Sequence, residues 1–206
     1  MPPRVSVLKS GTLLRDDCGR ILDARSSVTL IITGQRKILV DSGLEGEGEI
    51  ITKRLAEGGL EIGDIDTLIN THSHADHTGN NRLFFAAKIL SPQEGDEIAP
   101  GVKIMQTPGH SMDSISVVVD SWMVHSGIVV SEKANSPVLS GQVIAIAGDA
   151  LPTFGNYVKM VPPALHVNRE LAISSMSKIL RVADIVIPGH DHPFSVSKRT
   201  YIEDWE

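Results

Sequence analysis

The sequence predicts an α/β fold, a sandwich of strands with helices outside it, and three observations carry that prediction. Short runs of β-branched and other apolar residues recur along the chain, segments of helical spacing separate some of them, and several strand ends carry a histidine or an aspartate. At 206 residues, the chain is long enough for one well-packed domain spanning 1–206. Hydrophobic residues at 41% and charged residues at 21% match ordinary globular usage and exclude a disordered chain or a fibrous repeat.

The elements follow in chain order. Val5 to Leu8, Ser27 to Thr33 and Lys37 to Val40 read as strands, with a Gly34-Gln35 turn joining the last two, so the chain is expected to open with a β-meander. Ile50, Ile51, Arg54 and Leu55 fall at helical spacing after Gly46-Glu47-Gly48, and Gly58-Gly59 stops that helix. Thr67 to Asn70 is a short strand running straight into Thr71-His72-Ser73-His74-Ala75-Asp76-His77. Further strands are predicted at Lys88 to Leu90, Val102 to Met105, Ser114 to Val119, Gln142 to Ala147 and Asp184 to Ile187, with a helix near Asn168 to Arg181.

Composition narrows the chemistry. No stretch approaches the roughly 18 apolar residues of a membrane span, and Met1-Pro2-Pro3-Arg4 lacks the apolar core of a signal peptide, so a cytoplasmic protein without membrane attachment is expected. Cys18 is the single cysteine, which excludes an internal disulfide and a thiolate-rich zinc site; metal ligands must then be nitrogen or oxygen. The net charge of −6 argues against a broad nucleic-acid footprint.

The strand ends hold the informative pattern. Asn70 precedes the His72 cluster, Gln106-Thr107-Pro108-Gly109 precedes His110, Ala147-Gly148 precedes Asp149, and Pro188-Gly189 precedes His190. Strand ends of a sandwich gather along one edge, so these scattered positions can converge, and the glycines permit the tight turns required. Residues two apart in an extended segment point the same way. His72 and His74 can therefore grip one ion while Asp76 and His77 reach a neighbouring one. An isolated H-x-H pair would be weak evidence; four ligand-type residues within six positions, followed by two Pro-Gly-His turns and a Gly-Asp, are not.

In this pattern the chain resembles the metallo-β-lactamase superfamily over nearly its whole length. The family's H-x-H-x-D-H signature stands as His72, His74, Asp76 and His77, its later histidine matches His110, its bridging aspartate Asp149, and its final histidine His190. The resemblance implies a four-layer αββα sandwich with metals at one edge between the sheets. It implies that His72, His74 and His110 hold one ion, that Asp76, His77 and His190 hold a second, and that Asp149 bridges them. Val40-Asp41-Ser42-Gly43 matches the family's early strand-end motif, which implies that Asp41 orients the ligand loop without being a ligand. The alternative reading of Asp41 is an aspartate opening a turn.

By the same resemblance, two divalent ions would share a water whose pKa falls toward about 7 and which attacks an ester, thioester or related bond of a small substrate. Asp76 would orient that water and shuttle its proton. Zinc is the default ion; imidazole and carboxylate also suit iron or manganese. Cys18 lies far from every strand-end motif, unlike the cysteine ligand of several zinc β-lactamases, and His74 stands where the flavodiiron branch has glutamate.

Within the superfamily the chain is similar to the metallo-β-lactamase domain-containing protein 1 group, at Ser116 to Val119 and from Arg181 to His190 through Pro193-Phe194. That group is associated with RNA cleavage, so a metal-dependent RNA endonuclease is the alternative, disfavoured by the acidic balance. A non-catalytic metal-binding protein is the third reading.

Two segments are expected to set specificity. The stretch 121–142 reads as an extra hairpin: a lid, a subunit contact that would make a homo-oligomer, or a plain extension of a sheet. Leu151 to Lys159 begins beside Asp149, where Phe154 and Tyr157 are expected as an apolar wall and Lys159 as a contact for an anionic group, with packing the alternative role for each. His192, two positions after His190, could sit at the rim and contact substrate, an ordinary residue being the alternative; His125 and His166 read as ordinary residues.

Overall fold

The computed structural model describes residues 3–120 and 142–197, so the hairpin expected at 121–142 lies outside the described residues except for Gln142, and His125 lies outside them too. Strand β1 (Arg4–Lys9) leads into β2 (Thr12–Arg15), β3 (Ile21–Arg25), β4 (Val28–Thr33) and β5 (Arg36–Val40). Helix α1 (Gly48–Glu57), β6 (Thr67–Ile69), α2 (Ala75–Thr78), β7 (Lys88–Leu90), β8 (Glu97–Ala99), β9 (Val102–Gln106) and β10 (Ile115–Asp120) follow. After residue 142 come β11 (Val143–Gly148), α3 (Phe154–Lys159), α4 (Arg169–Val182), β12 (Ile185–Pro188) and β13 (Phe194–Ser195).

Two sheets face each other, with strand orders β1-β4-β5-β6-β7 and β13-β12-β11-β10-β9-β8. The period of two along each strand sends alternate side chains to opposite faces. Ile38 and Val40 of β5 therefore join Ile144 and Ile146 of β11 in the core between the sheets. Leu39 turns outward onto Ile51 and Leu55 of α1, and Ala145 and Ala147 turn outward toward Met176 and Ile179 of α4. Strands covered on both faces need apolar residues at nearly every position, which is why Ile38-Leu39-Val40 reads as an unbroken run. The result is an αββα sandwich.

Local signals start and stop the two outer helices. Leu171 N–H donates to Asn168 Oδ1 at 3.0 Å, capping α4, whose Ala172, Met176, Ile179 and Leu180 repeat at helical spacing and are all buried. Gly59, at φ 74, turns the chain out of α1.

The opening differs from a simple meander. β1 pairs with β4 and β4 with β5, as that expectation requires, but β2 and β3 form a separate two-stranded ribbon between β1 and β4. Its amphipathic pattern is weak: Leu14 and Leu22 are exposed. The Asp16-Asp17-Cys18-Gly19 turn, with Gly19 at φ 79, was the available signal.

Strand direction positions the site. β5, β6 and β7 run parallel, β11 and β12 run parallel, and β9 and β11 are both antiparallel to β10 and so run the same way. Ile115 N–H at the start of β10 donates to Thr71 O just past β6 at 2.8 Å, which joins the sheets at that edge. Carboxyl ends of parallel strands leave an open crevice, and the loops carrying the histidines and aspartates all start there. Among the described residues, no helix is long and apolar enough to cross a membrane.

Candidate metal centre

Asp41 is the anchor of the His72 loop. It follows β5 with φ 59, a left-handed conformation that aspartate tolerates better than most residues. Its Oδ1 accepts from Thr71 N–H at 2.7 Å and its Oδ2 from Thr71 Oγ1–H at 2.8 Å. His77 Nδ1 lies 2.8 Å from the same Oδ2. A carboxylate only accepts, so this nitrogen carries a proton and Nε2 is the nitrogen that faces the cluster.

The same logic fixes three other rings. Having donated to Asp41, Thr71 Oγ1 accepts from His72 Nδ1 at 3.2 Å. His110 Nδ1 donates to Leu165 O at 2.7 Å, and His190 Nδ1 donates to Arg25 O at 3.0 Å. Each leaves Nε2 facing inward. His74 instead turns Nδ1 inward, 3.0 Å from His110 Nε2.

Three groups emerge in which every ligand atom lies within 4.8 Å of the others: His72, His74 and His110; His72, His77 and Asp149; Asp76, His77 and His190. Asp149 touches both ends of the cluster. Its Oδ2 is 3.5 Å from His110 Nε2, while its Oδ1 is 3.4 Å from His77 Nε2 and 3.1 Å from His190 Nε2. Asp76 Oδ2 is 3.4 Å from His190 Nε2. All seven expected side chains therefore meet at the strand-end edge.

These residues fit metal ions. His72 Nε2, His77 Nε2 and Asp149 Oδ1 are buried without any hydrogen-bond partner, an arrangement that costs a few kcal/mol per group unless a cation satisfies it. Two ligands about 2.0–2.1 Å from a tetrahedral ion sit about 3.3 Å apart, close to the spacings here. Burial above all pushes His72 down to about 2, keeping its lone pair available. His77 is pushed up to about 10: burial opposes the charge, and the carboxylates of Asp41 and Asp149 outweigh it. His190 is raised against burial by Asp149, and Asp149 is held well below the usual carboxylate range, despite burial, by His190 and His77. The cluster is built to hold positive charge, as protons on His77 and His190 or as cations in their place.

The glycines before the ligands have particular causes. A Cβ on Gly189 would lie 2.1 Å from Asp149 Oδ1, and one on Gly109, at φ 136, would lie 2.2 Å from Ala172 N. Close approach therefore excludes a side chain at both, and at Gly109 the turn geometry does as well.

A cleft of about 370 Å³ opens over the cluster, bounded by Leu13, Arg15 and Ile21 of the ribbon, by Pro163 and Leu165, and by His74, Asp76, His110, Asp149 and His190. Lys159 and His192 line an adjoining cavity that also includes His190. Phe154 and Tyr157 line neither. They pack instead with Phe194, at centroid separations of 5.1 and 5.0 Å, and Tyr157 Oη accepts from Ser197 N–H. The apolar wall expected of them is supplied by the ribbon and the 163–165 loop, because α3 turns its aromatic face toward β13. His166 donates to Pro163 O. Sequence reasoning missed Thr71 and the carbonyls of Arg25 and Leu165; only Thr71, beside His72, offered a local hint.

A solved N-acyl homoserine lactone hydrolase, with the product N-hexanoyl-L-homoserine bound at its catalytic metal center, shares the fold at TM-score 0.66 and 22% identity, covering 92% of each chain. The chain thus shares that hydrolase's fold. The sequence profile of the Metallo-beta-lactamase superfamily matches residues 23–101. A protein of Methanocaldococcus jannaschii named probable metallo-hydrolase is 36% identical over 198 residues, 91% of this chain and 86% of that one. Metallo-beta-lactamase domain-containing protein 1 of Xenopus laevis is 30% identical over 223 residues, 100% of this chain and 87% of that one. The chain belongs to the metallo-β-lactamase superfamily and is a metal-dependent hydrolase of it.

Proposed function

We propose that the chain hydrolyses an ester, thioester or lactone bond of a small substrate at a dinuclear centre. His72, His74 and His110 would hold one ion, Asp76, His77 and His190 the other, and Asp149 both, with zinc the expected metal. The observation that supports this reading is the set of three unpartnered buried atoms, His72 Nε2, His77 Nε2 and Asp149 Oδ1, whose residues group together beneath the cleft that Asp149 lines. When bound, such ions supply Lewis acidity and acidify water toward neutral pH.

The chain's own residues do the rest. Asp41, Thr71 and the carbonyls of Leu165 and Arg25 hold the imidazoles in the tautomers that present lone pairs inward. Asp76 is the more solvent-accessible aspartate of the cluster, its side chain 20% exposed against 10% for Asp149. Its carboxylate takes the proton of the attacking water and returns it to the leaving oxygen or sulfur. The cleft walls of Leu13, Ile21 and Leu165 exclude bulk water from the acyl group.

The test is elemental analysis of purified protein together with a panel of esters, thioesters, lactones and single-stranded RNA, repeated on His74→Ala. About two ions per chain, turnover of a carbonyl substrate, and loss of at least 100-fold in the variant are expected. Cutting of RNA alone, or tight metal binding with no turnover at all, would replace this reading.

A further inference from the structure

The cleft over the cluster continues sideways, and that continuation carries an inference about the substrate that rests on the hydrolytic reading above. The adjoining cavity, about 520 Å³, shares Leu13, Arg15 and His190 with the cleft, so the two form one bent groove under the ribbon. Its two arms differ in chemistry. Over the cluster the walls include Ile21, Ala24, Leu44, Pro163 and Leu165. The side arm is lined by Thr12, Thr153, Asn156, Lys159, Asp191 and His192, with Arg15 at the junction.

Two cations therefore face this groove from elements far apart in sequence, Arg15 on β2 and Lys159 at the end of α3. Among the described residues, neither is paired with a carboxylate, whereas Arg20, Arg25 and Lys178 hold Asp16, Asp23 and Glu94. Arg15 uses one of its five donors on Gly19 O at 2.7 Å. The carboxylate in the side arm, Asp191, is already engaged: its oxygens accept from Phe154 N–H and His192 N–H.

Both cation-bearing elements are tied to the turn that carries His190. Gly11, just before β2, packs so closely there that a Cβ would lie 2.2 Å from Gly189 O. Its N–H donates to Ser27 Oγ, which donates to Pro188 O. On the other side, Asp191 receives the first N–H of α3. The charges are thus held in register with the cluster. In a chain of net charge −6, a built pair of unneutralised cations in a concavity is a recognition device for an anion.

We propose that the substrate is bipartite: an acyl or alkyl group over the cluster, the scissile bond beside His190 and Asp76, and a carboxylate or comparable anion between Arg15 and Lys159. The test uses metal-loaded protein and two aryl esters of equal chain length, 4-nitrophenyl hemiglutarate and 4-nitrophenyl valerate. The ratio of kcat/KM, anionic over neutral, should fall about tenfold in each of Arg15→Gln and Lys159→Gln, through KM, and further in the double variant. Calorimetric binding of glutarate, against neutral glutaramide, should weaken about tenfold in the double variant. Unchanged melting by circular dichroism excludes loss of the ribbon. If the esters turn over and neither ratio nor glutarate binding responds, the anion site is wrong and the hydrolase reading stands. If neither ester turns over while glutarate binding still depends on the two cations, the hydrolase reading fails and the anion site stands. Failure of both readouts overturns both.

Discussion

Asp41 shows how much one side chain can organise. Its carboxylate receives Thr71 twice and His77 once, all while the backbone holds a conformation that costs most residues about 1 kcal/mol or more. Asparagine keeps that backbone and the side-chain shape but removes the charge that keeps His77 oriented. Asp41→Asn should lower metal affinity about 10–100-fold, measured by competition with a chromophoric chelator; unchanged affinity would reduce Asp41 to a turn residue. At this scale the histidines and aspartates of the cluster were legible in the sequence, because their motif is local and their residue types are chemically restricted. The partners of the second ring nitrogens were not. Arg25 and Leu165 contribute backbone carbonyls, which any residue can supply.

Among elements, turns and outer helices set the precision of the cluster. Gly189→Ala places a methyl group against Asp149 Oδ1 and within 3.0 Å of the Gly148 backbone. A cost of about 1–3 kcal/mol, and with it a loss of metal affinity of about tenfold or more, should appear on titration of the variant. The 91–96 loop is tied to α4 by Glu94 and Lys178 at 2.9 Å, and Glu94 also receives Gln106 N–H. Burial opposes the Glu94 charge, and Lys178 outweighs it, so the carboxyl is held below its ordinary 4.5. A lowered carboxylate contributes stability above its unfolded value and loses it as pH falls through the lowered one. Both side chains are largely exposed, so only about 0.2–1 kcal/mol is at stake. Unfolding free energies from denaturant titration at pH 7 and pH 3 should differ by that much less in Lys178→Met than in the parent chain. Strongly apolar strands and the two long helices were legible as elements; the β2–β3 ribbon was not, because a two-stranded flap with exposed leucines lacks the one-sided burial that makes alternation visible.

For the whole molecule, ions held by side chains spread from His72 to His190 would bind only the folded chain. Saturation at 1,000 times Kd adds about 4 kcal/mol per site, so chelator treatment should lower the melting temperature by many degrees, and an unchanged melt would argue against the centre. The raised pKa values of His77, about 10, and His190 mean that incoming cations displace protons. Apparent affinity should therefore rise with pH, and calorimetry in two buffers of different ionisation enthalpy should report net proton release. The sign for the ion-free chain follows from the same shift: stabilisation from His77 is complete below 6.5 and disappears as pH rises through about 10. The family, the fold class and the histidine and aspartate motifs could be read from the chain alone, since each is written in short spacings that survive without neighbours. Which nitrogen each imidazole presents, and which cations share its groove, emerged only once the chain was folded. Those depend on atoms as far apart as Arg25 and His190, separated by 165 positions, and no local pattern encodes where two distant strand ends will meet.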